Sequence, residues 1–438
     1  MGWVPQSGDT VIDKSGTHYV LGSEIGRGGE GTVFATQAEG AAVKIITESA
    51  TSRDELENRI SRVTRLPVLD LPVAVPRYVL SGSEVGYSMT LLTGMTSLNE
   101  LILPSTTSPF TESWYRDTGG LKKRLLIIEA LSEVIGALHA RGLVYCDLSA
   151  NNVLISQSLK RSKLFLIDLD NLRYSTEKPR RIWTAPFSAP EQHEKGASRY
   201  SDDFSLAILA FSILTGCNPF YGQALDEASP EDYEGLPYAL NAPWIDDPSD
   251  KSNRWAACID RKIVISPRMY GLFERSFTLG RFEPEIRSNA LEFAAAARSA
   301  SHAIYECDDC GWCNYVTSNS CESCGLESTN KIIRVMREFE GTLTPFEVCP
   351  IIALNPNQPS EVKGLTLGFT DSSANPYFTV RSVANKFEIE LFADELQFKE
   401  FSSRKRIEFE LNIPLVISRK NRSDLVLNLE NVGGPNAN

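Results

Sequence analysis

Several classes of protein are excluded by what this 438-residue chain lacks. Nine cysteines are too few for a disulfide scaffold at this length, and five of them lie between Cys307 and Cys324. Long apolar runs are missing too: the longest, Phe204 to Leu214, contains two serines and is too short to span a bilayer. The first residues show no basic start followed by an apolar core. We therefore expect no signal peptide, no membrane partner and a cytoplasmic location.

Basic charge is also scarce. The chain has 44 lysines and arginines against 56 aspartates and glutamates, which gives a net charge of −12. Proteins that bind nucleic acid usually carry a basic footprint, so this balance argues against a nucleic-acid partner. Apolar residues make up 42% and charged residues 23%, so the chain has the composition of ordinary folded domains. Its length suggests two to four of them.

Three regions differ in their sequence pattern. Residues 17–300 alternate β-rich and helical patterns, and residues 305–326 hold the clustered cysteines. Residues 331–432 are rich in β-branched and aromatic residues, which alternate with charged neighbours in stretches such as 387–391 and 407–411. Within the first region, apolar spacing predicts a helix from Leu121 to His139 and a buried central helix from Ser201 to Thr215. We therefore predict an α+β multidomain chain that ends in an all-β module.

A glycine-rich segment opens the first region. Residues 26–33 read G-R-G-G-E-G-T-V, which fits the pattern G-x-G-x-x-G-x-V. Glycines let the backbone approach phosphate oxygens and donate its amide hydrogens to them. A dinucleotide-binding fold would place a helix next, whereas residues 33–36 continue as a strand. Lys44 follows in an apolar strand, where a cation requires an anionic partner. The candidate residues of this phosphate site are Gly26, Gly28, Gly29, Gly31, Val33 and Lys44.

Two segments that carry aspartates follow, one before and one after a pair of apolar strands. Asp147 and Asn152 have the spacing D-x-x-x-x-N and precede an apolar strand, and Asp168 follows the next apolar strand. This combination lets one carboxylate position a nucleophile while an amide and a second carboxylate hold Mg²⁺. A glycine loop, a lysine and these two segments in this order predict a phosphoryl-transfer site.

With these motifs, residues 17–300 resemble the protein kinase family. The resemblance implies a bilobal fold, ATP and Mg²⁺ as cofactors, and transfer of the γ-phosphate to Ser/Thr-type hydroxyls of a protein substrate. It implies Asp147 as the catalytic base, Asn152 and Asp168 as ligands of Mg²⁺, and Lys44 on the phosphates of ATP.

The resemblance also implies supporting residues. A helix carboxylate should pair with the phosphate-binding lysine, and we choose Glu57, with Glu55 as the nearest rival. Glu191 ends an A-P-E motif, and Arg287 is its expected partner. Asp202 stands at the start of the buried helix and should brace the catalytic loop.

Five positions depart from the family pattern, and one of them, Leu169 in place of the Phe of D-F-G, can still pack. Tyr145 and Cys146 replace His and Arg, so no arginine stands beside the base to receive an activation-loop phosphate. Ser149 replaces the lysine usual in Ser/Thr kinases, and Asp170 replaces the glycine of D-F-G, where its carboxylate could face a metal. We predict an active kinase. The alternatives are a nucleotide-binding pseudokinase scaffold and a small-molecule phosphotransferase.

The clustered cysteines have the spacing C-x₂-C-x₁₀-C-x₂-C, which is typical of a tetrahedral Zn²⁺ site. The predicted ligands are Cys307, Cys310, Cys321 and Cys324. Together with Tyr305 and Asn314, the segment resembles a RanBP2-type zinc finger. Cys313 offers an alternative C-x-x-C pair with Cys310. We favour the first set of ligands because it also puts Asn314 at the position that the RanBP2-type pattern expects. Trp312 either packs on a neighbour or stacks on a ligand, and we expect a structural or protein-docking finger.

The last module has two basic clusters, residues 404–406 and 419–422. Such clusters usually mark a solvated face or protect an edge strand, and no motif supports a phosphopeptide-binding sandwich. We expect this module and the finger to recruit partners. The catalytic loop and the zinc element together resemble bacterial kinases encoded with a PP2C-type phosphatase and a von Willebrand A protein. That resemblance implies a cognate phosphatase and a von Willebrand A-type protein as partners.

Overall fold

The fold was analysed in a computed structural model. The residues that the structure describes are 4–28, 31–46, 52–82, 84–104, 110–159, 163–179, 181–226, 242–255, 259–339, 341–355, 358–369, 375–383, 386–420 and 422–432. Among them, no helix combines the length and the apolar character that crossing a membrane requires.

An antiparallel six-stranded sheet forms the N-terminal part of the molecule. Its strands are β1 (Thr10–Ile12), β2 (His18–Gly28), β3 (Gly31–Thr36), β4 (Ala41–Ile46), β5 (Pro76–Val79) and β6 (Gly86–Thr90), in the order β1-β2-β3-β4-β6-β5. Helix α1 (Arg53–Val63) begins after Ser52, whose side chain accepts a hydrogen bond from the backbone amide of Glu55. Leu56 and Ile60 of this helix form a small apolar cluster with residues of β4, β5 and β6.

A larger, mainly helical part follows. Its helices are α2 (Asn99–Ile102), α3 (Glu112–Asp117), α4 (Gly120–Ala140), α5 (Gln192–Lys195), α6 (Arg199–Thr215), α7 (Gln223–Asp226), α8 (Arg261–Val264), α9 (Pro267–Phe277) and α10 (Ala290–His302). Every residue of α6 from Ser201 to Thr215 is buried, and its neighbours α4 and α9 present apolar faces to the same core. The two helices predicted from apolar spacing correspond to α4 and α6, so both predictions are confirmed.

Five short strands accompany these helices, one just before α2 and four between α4 and α5. They are β7 (Met95–Ser97), β8 (Leu143–Val144), β9 (Val153–Ser156), β10 (Leu164–Leu166) and β11 (Arg173–Tyr174). Strand β9 pairs with both β7 and β10, and β8 pairs with β11. The β9–β10 pair is antiparallel, with Val153 opposite Leu166, so the residues before β9 and after β10 come to the same end of the hairpin.

The cysteine-rich segment contains a two-stranded sheet of β12 (Ile304–Glu306) and β13 (Cys313–Tyr315). Cys307, Trp312 and Cys321 belong to the same apolar core as the helical part. Tyr305 and Val316 join a second cluster with residues of the C-terminal region. The three regions therefore share cores, and their boundaries at 17–300, 305–326 and 331–432 stay predictions.

The C-terminal region is all β, as predicted. Its strands are β14 (Lys331–Phe339), β15 (Thr342–Pro345), β16 (Ile351–Ala353), β17 (Ser360–Val362), β18 (Phe378–Val383), β19 (Lys386–Leu391), β20 (Leu396–Phe398), β21 (Arg406–Phe409), β22 (Leu415–Arg419) and β23 (Leu425–Asn431). One sheet has the order β15-β14-β23-β22-β20, with β16 also on β14, and the other has the order β17-β18-β19-β21. Apolar residues of both sheets form one core, so the region is a β-sandwich.

Candidate active site and zinc centre

The loop after β8 carries Asp147 and is held by helix α6. Asp202 accepts hydrogen bonds from the backbone amides of Tyr145 at 2.8 Å and Cys146 at 3.0 Å. Nε2 of His139 lies 3.1 Å from the same carboxylate. Cys146 has a left-handed φ of 81°, which a non-glycine residue keeps only where its surroundings hold it. Asp202 therefore braces the loop as predicted.

Asp147 is oriented by two side chains. The hydroxyl of Thr184 donates to its Oδ1 at 2.6 Å. Nδ2 of Asn152 donates to its backbone oxygen at 2.9 Å and to its Oδ2 at 3.2 Å. We did not predict Thr184 from the sequence, where its only distinguishing feature is a position shortly before the A-P-E motif. The carboxylate is thus fixed in direction by donors on both of its oxygens.

Asn152 and Asp168 lie together at one end of the β9–β10 hairpin. The backbone amide of Ile167 donates to the carbonyl of Asn152 at 3.0 Å. The hydroxyl of Tyr145 donates to the carbonyl of Ile167 and, at 3.4 Å, to that of Asn152. Burial raises the pKa of Tyr145 well above its usual value, and the nearby Asp168 carboxylate raises it further, so the hydroxyl stays a donor. The two predicted magnesium ligands are therefore neighbours.

Lys44 finds its anionic partner in Asp168. It lies on β4, opposite Val33 of β3 and Tyr87 of β6, and its ammonium group is 5.9 Å from the centroid of the Tyr87 ring. Its Nζ forms an ion pair with Oδ1 of Asp168. Asp168 has a left-handed backbone with φ of 60°, so strain is held at this position as well. The pair connects the N-terminal sheet to the metal-ligand hairpin.

The choice of Glu57 as the partner of Lys44 is wrong. Glu57 instead pairs with Lys14 at 2.6 Å, and both side chains are partly exposed. The rival Glu55 is exposed. The reason is the rotation of helix α1, whose buried face is formed by Leu56, Arg59, Ile60 and Val63.

That buried face brings an arginine to the active site. Nη2 of Arg59 lies 3.1 Å from Oδ2 of Asp170, and both side chains are buried. Arg62, nearly one turn further along, donates to the carbonyl of Leu172 at 3.1 Å. The extra carboxylate of Asp170 is therefore directed at helix α1, whereas the sequence had suggested that it could face a metal.

The glycine-rich segment forms the end of the β2–β3 hairpin. Gly28 is paired with Gly31, and Val33 stands opposite Lys44, so the segment and the lysine are on adjacent strands. A Cβ at Gly31 would lie 2.2 Å from the carbonyl oxygen of Ile45, so only glycine fits there. A Cβ at Gly26 would meet nothing within 4 Å. The predicted site residue Gly29 lies outside the described residues.

The A-P-E motif makes its expected ion pair. Both terminal nitrogens of Arg287 donate to Glu191, at 2.7 and 2.8 Å, and the arginine side chain is fully buried. The neighbouring Gln192 donates to the carbonyls of Cys146 at 2.9 Å and Ile182 at 2.6 Å. It thereby connects the catalytic loop to the segment that carries Thr184, a role that we did not predict.

Comparison with protein families agrees with this geometry. Residues 19–278, more than half of the chain, match the family model described as "Protein kinase domain". The chain belongs to the protein kinase family. The predicted kinase-like fold, with mixed helix and sheet, is thereby confirmed for this part of the chain.

Several curated kinases are similar at low identity. A CDPK-related kinase 4 of Arabidopsis thaliana is 26% identical over 219 residues, which are 47% of this chain and 35% of that protein. The serine/threonine-protein kinase PkaA of Streptomyces coelicolor is 26% identical over 234 residues, or 47% of this chain and 40% of the relative. A probable cAMP-dependent protein kinase catalytic subunit of Encephalitozoon cuniculi is 28% identical over 178 residues, which are 40% of this chain and 50% of that protein. The chain therefore spans between a third and a half of the length of these relatives.

A solved structure is also similar in part. The crystal structure of a rhoptry kinase from Toxoplasma gondii superposes with a TM-score of 0.46 and 15% sequence identity. The superposition covers 67% of this chain and 83% of that chain.

The four predicted zinc ligands form a compact cluster. The sulfur atoms of Cys307, Cys310, Cys321 and Cys324 all lie within 4.8 Å of one another. Two of the distances between sulfurs are 3.6 Å (Cys307 to Cys324) and 3.5 Å (Cys310 to Cys321). Four thiolates around one Zn²⁺ would stand about 3.8 Å apart, so the cluster fits this ion.

Asn314 distinguishes the two possible cysteine registers. Its Oδ1 accepts a hydrogen bond from the amide of Glu322 at 2.9 Å, and its Nδ2 donates to the carbonyl of Trp312 at 3.1 Å. It thus joins the two C-x-x-C turns. Cys313 is absent from the cluster, and burial raises the pKa of its thiol to about 11, so it stays a neutral thiol. These contacts favour the first register.

The finger packs directly against the helical part of the kinase. The ring of Trp312 is buried with its centroid 5.6 Å from that of Tyr115 in α3. The hydroxyl of Tyr315 donates to the carbonyl of Val264 in α8 at 3.2 Å, and Arg116 donates to the carbonyl of Cys310 at 3.2 Å. Of the two interpretations of Trp312, packing on a neighbour is therefore confirmed.

Proposed function

We propose that this chain is an ATP- and Mg²⁺-dependent protein kinase that phosphorylates serine or threonine hydroxyls. The observation that carries the proposal is that direct contacts join Asp147, Asn152 and Asp168 at one end of the β9–β10 hairpin to Lys44. Lys44 in turn lies on the strand beside the glycine-rich strand β3. The names of relatives such as the serine/threonine-protein kinase PkaA support the choice of acceptor.

Each side chain of the site suits one task. The amide oxygen of Asn152 and the carboxylate of Asp168 are hard oxygen ligands of the kind that Mg²⁺ prefers. Lys44, which is buried beside a carboxylate, can exchange that partner for a phosphate oxygen. Mg-ATP supplies the transferable phosphoryl group and a counterion for its charge. The chain orients these groups and keeps them in place.

Asp147 is placed to orient the acceptor hydroxyl. Its carboxylate is held by Thr184 and Asn152, so it presents one fixed direction to a substrate oxygen. A positioned carboxylate of this kind accepts the proton of the attacking hydroxyl. Thr184 stands close to the acceptor position and contributes to its shape.

The first prediction tests this assignment with two substitutions. Asp147→Asn keeps the shape of the side chain, and Lys44→Met removes the ammonium group with its charge and its hydrogen-bond donors. We expect each to lower phosphate transfer from Mg-ATP to a serine/threonine peptide library by about 100-fold or more, because positioning and charge neutralisation are the main catalytic terms. Lys14→Met, which changes a partly exposed lysine in the turn between β1 and β2, is the control and should retain wild-type turnover.

The same assay separates the alternatives. A pseudokinase scaffold would bind Mg-ATP without transferring phosphate to any protein acceptor. A small-molecule phosphotransferase would yield a phosphorylated metabolite and no phosphoprotein. Equal turnover of the wild type and Asp147→Asn would contradict the assigned base.

We further propose that Cys307, Cys310, Cys321 and Cys324 hold a structural Zn²⁺. Support comes from the fit of the sulfur cluster and from the packing of the finger on the kinase core. Partner recruitment by the β-sandwich, including a cognate phosphatase or a von Willebrand A-type protein, stays a prediction.

A further inference from the structure

Two arginines join helix α1 to the segment that follows strand β10. Arg59 reaches the carboxylate of Asp170 at 3.1 Å. Arg62 donates to the carbonyl of Leu172 at 3.1 Å and to the carboxylate of Glu177 at 2.7 Å. One face of the helix is therefore attached at three successive points along residues 170–177.

The Arg59–Asp170 pair lies in the protein interior. Both side chains are almost or fully buried, with exposures of 7% for Arg59 and 0% for Asp170. Among the described residues, neither Nε nor Nη2 of Arg59 makes a hydrogen bond, so the nearby carboxylate is the main balance to its charge. When one member of a buried ion pair is removed, an uncompensated charge is left behind. The two side chains should therefore depend strongly on each other.

Asp170 lies two residues after the predicted magnesium ligand Asp168, in the turn that follows it. Leu169 and Asn171 are buried on either side of it in a short 3₁₀ turn, and Asp168 directly precedes this turn. The left-handed backbone of Asp168 is costly for a non-glycine residue and persists only when neighbouring contacts fix it. Attachment of Asp170 to helix α1 is such a contact.

We propose that Arg59 is a positioning residue that acts through Asp170 to hold Asp168 toward Lys44. In this chain the link between helix α1 and the active site would thus run from an arginine on the helix to a carboxylate after the metal ligand. Its effect on turnover rests on the proposed function, whereas its effect on the conformation of the protein does not.

A double-mutant cycle in the full-length chain tests this inference. Arg59→Met, Asp170→Asn and the double variant are compared with the wild type for kcat, for KM of ATP and for the Mg²⁺ concentration that gives half-maximal rate. We expect each single change to lower kcat by about tenfold or more and the double variant to be no worse than either, because contacting residues are not additive. Arg59→Lys, which keeps the charge, should recover part of the loss.

A second readout needs no catalysis. Hydrogen–deuterium exchange of the ligand-free chain should show faster exchange in residues 53–63 and 169–177 for both single variants. Lys14→Met, at the partly exposed ion pair of the same helix, is the matched control and should leave both segments unchanged. If a single variant fails to fold while the double variant folds, the buried pair is again supported.

Three results would overturn the inference. The losses in kcat could multiply in the double variant, which would show that the two residues act independently. Asp170→Asn could raise the Mg²⁺ requirement several-fold while Arg59→Met leaves it unchanged, which would make Asp170 a metal ligand. Exchange could stay unchanged in residues 169–177 in both variants. An inactive wild type would refute the proposed function alone, since the exchange result would still decide this point.

Discussion

Tyr145 differs from the family pattern and still makes hydrogen bonds within the candidate active site. It stands where the family has histidine. Its hydroxyl donates to the carbonyl of Ile167, the residue before Asp168, and to the carbonyl of Asn152, which is itself a predicted magnesium ligand. The phenol thus connects the catalytic loop to the metal-ligand hairpin. A residue that differs from the family pattern here still provides a buried hydrogen bond at the site.

A second prediction follows from this contact. Tyr145→Phe leaves the ring in place but removes the hydroxyl donor from the partly buried carbonyl of Ile167. We expect the free energy of unfolding to fall by about 1–2 kcal/mol and kcat to fall by about tenfold. Chemical denaturation and steady-state kinetics measure the two effects, with Tyr174→Phe, whose side chain is exposed, as the control. Loss of stability without any change in kcat would mean that the hydroxyl has no part in positioning the site.

The sequence predicted the main site residues because their motifs are local. Lys44, Asp147, Asn152 and Asp168 are each set by a strand and the turn beside it, and short spacing rules describe such segments well. Glu57 was assigned wrongly because the buried face of α1 is decided by what the helix packs against. Thr184 was missed because its contact with Asp147 joins residues 37 apart in sequence.

At the scale of the element, the four-cysteine segment packs as part of the core of the helical part. The four-cysteine register could be predicted because C-x-x-C spacing fixes the geometry of two turns. The docking of Trp312 on Tyr115 could not, because it depends on the placement of helix α3 far away in the sequence. A finger that shares a core with the catalytic part should contribute to its stability.

The third prediction tests the metal register and this coupling together. Cys321→Ser should lower the zinc content of the purified protein by about one equivalent and lower the melting temperature of the kinase part, because metal binding free energy contributes to folding. Cys313→Ser is the matched control, since this cysteine lies in the same finger but outside the cluster. Metal analysis and calorimetry provide the measurements. Loss of zinc in Cys313→Ser instead would contradict the ligand set.

At the scale of the whole molecule, the C-terminal sandwich contacts helices α9 and α10. The hydroxyl of Thr366 and Nε2 of His302 are 3.1 Å apart, and Arg268 donates to the carbonyl of Glu347 at 3.0 Å. A cluster of Tyr305, Val316, Ile332 and Val432 adds apolar contact between finger and sandwich. Sequence patterns predicted each region but not these junctions, because surfaces that meet across regions leave no periodic signal.

The contact at His302 leads to a prediction about acid. Burial, together with the smaller effect of the positive charges of Arg298, Lys122 and Lys363, lowers the pKa of this imidazole to about 4. In the unfolded chain the imidazole has its usual pKa of about 6.5. Between pH 6.5 and pH 4 the unfolded chain therefore binds more protons at His302 than the folded chain does. The contribution to stability is therefore complete above about pH 6.5 and is lost as the pH falls toward 4.

Because part of the His302 side chain remains accessible to solvent, we expect a modest effect of ~1–2 kcal/mol over this range. Denaturation at a series of pH values measures it, and His302→Gln, which cannot titrate, should make the curve flatter between pH 6.5 and 4. Hydrogen exchange should place the loss of protection at the junction of α10 with the 3₁₀ turn Gly364–Leu367. An unchanged pH profile in His302→Gln would show that other groups cause the acid sensitivity.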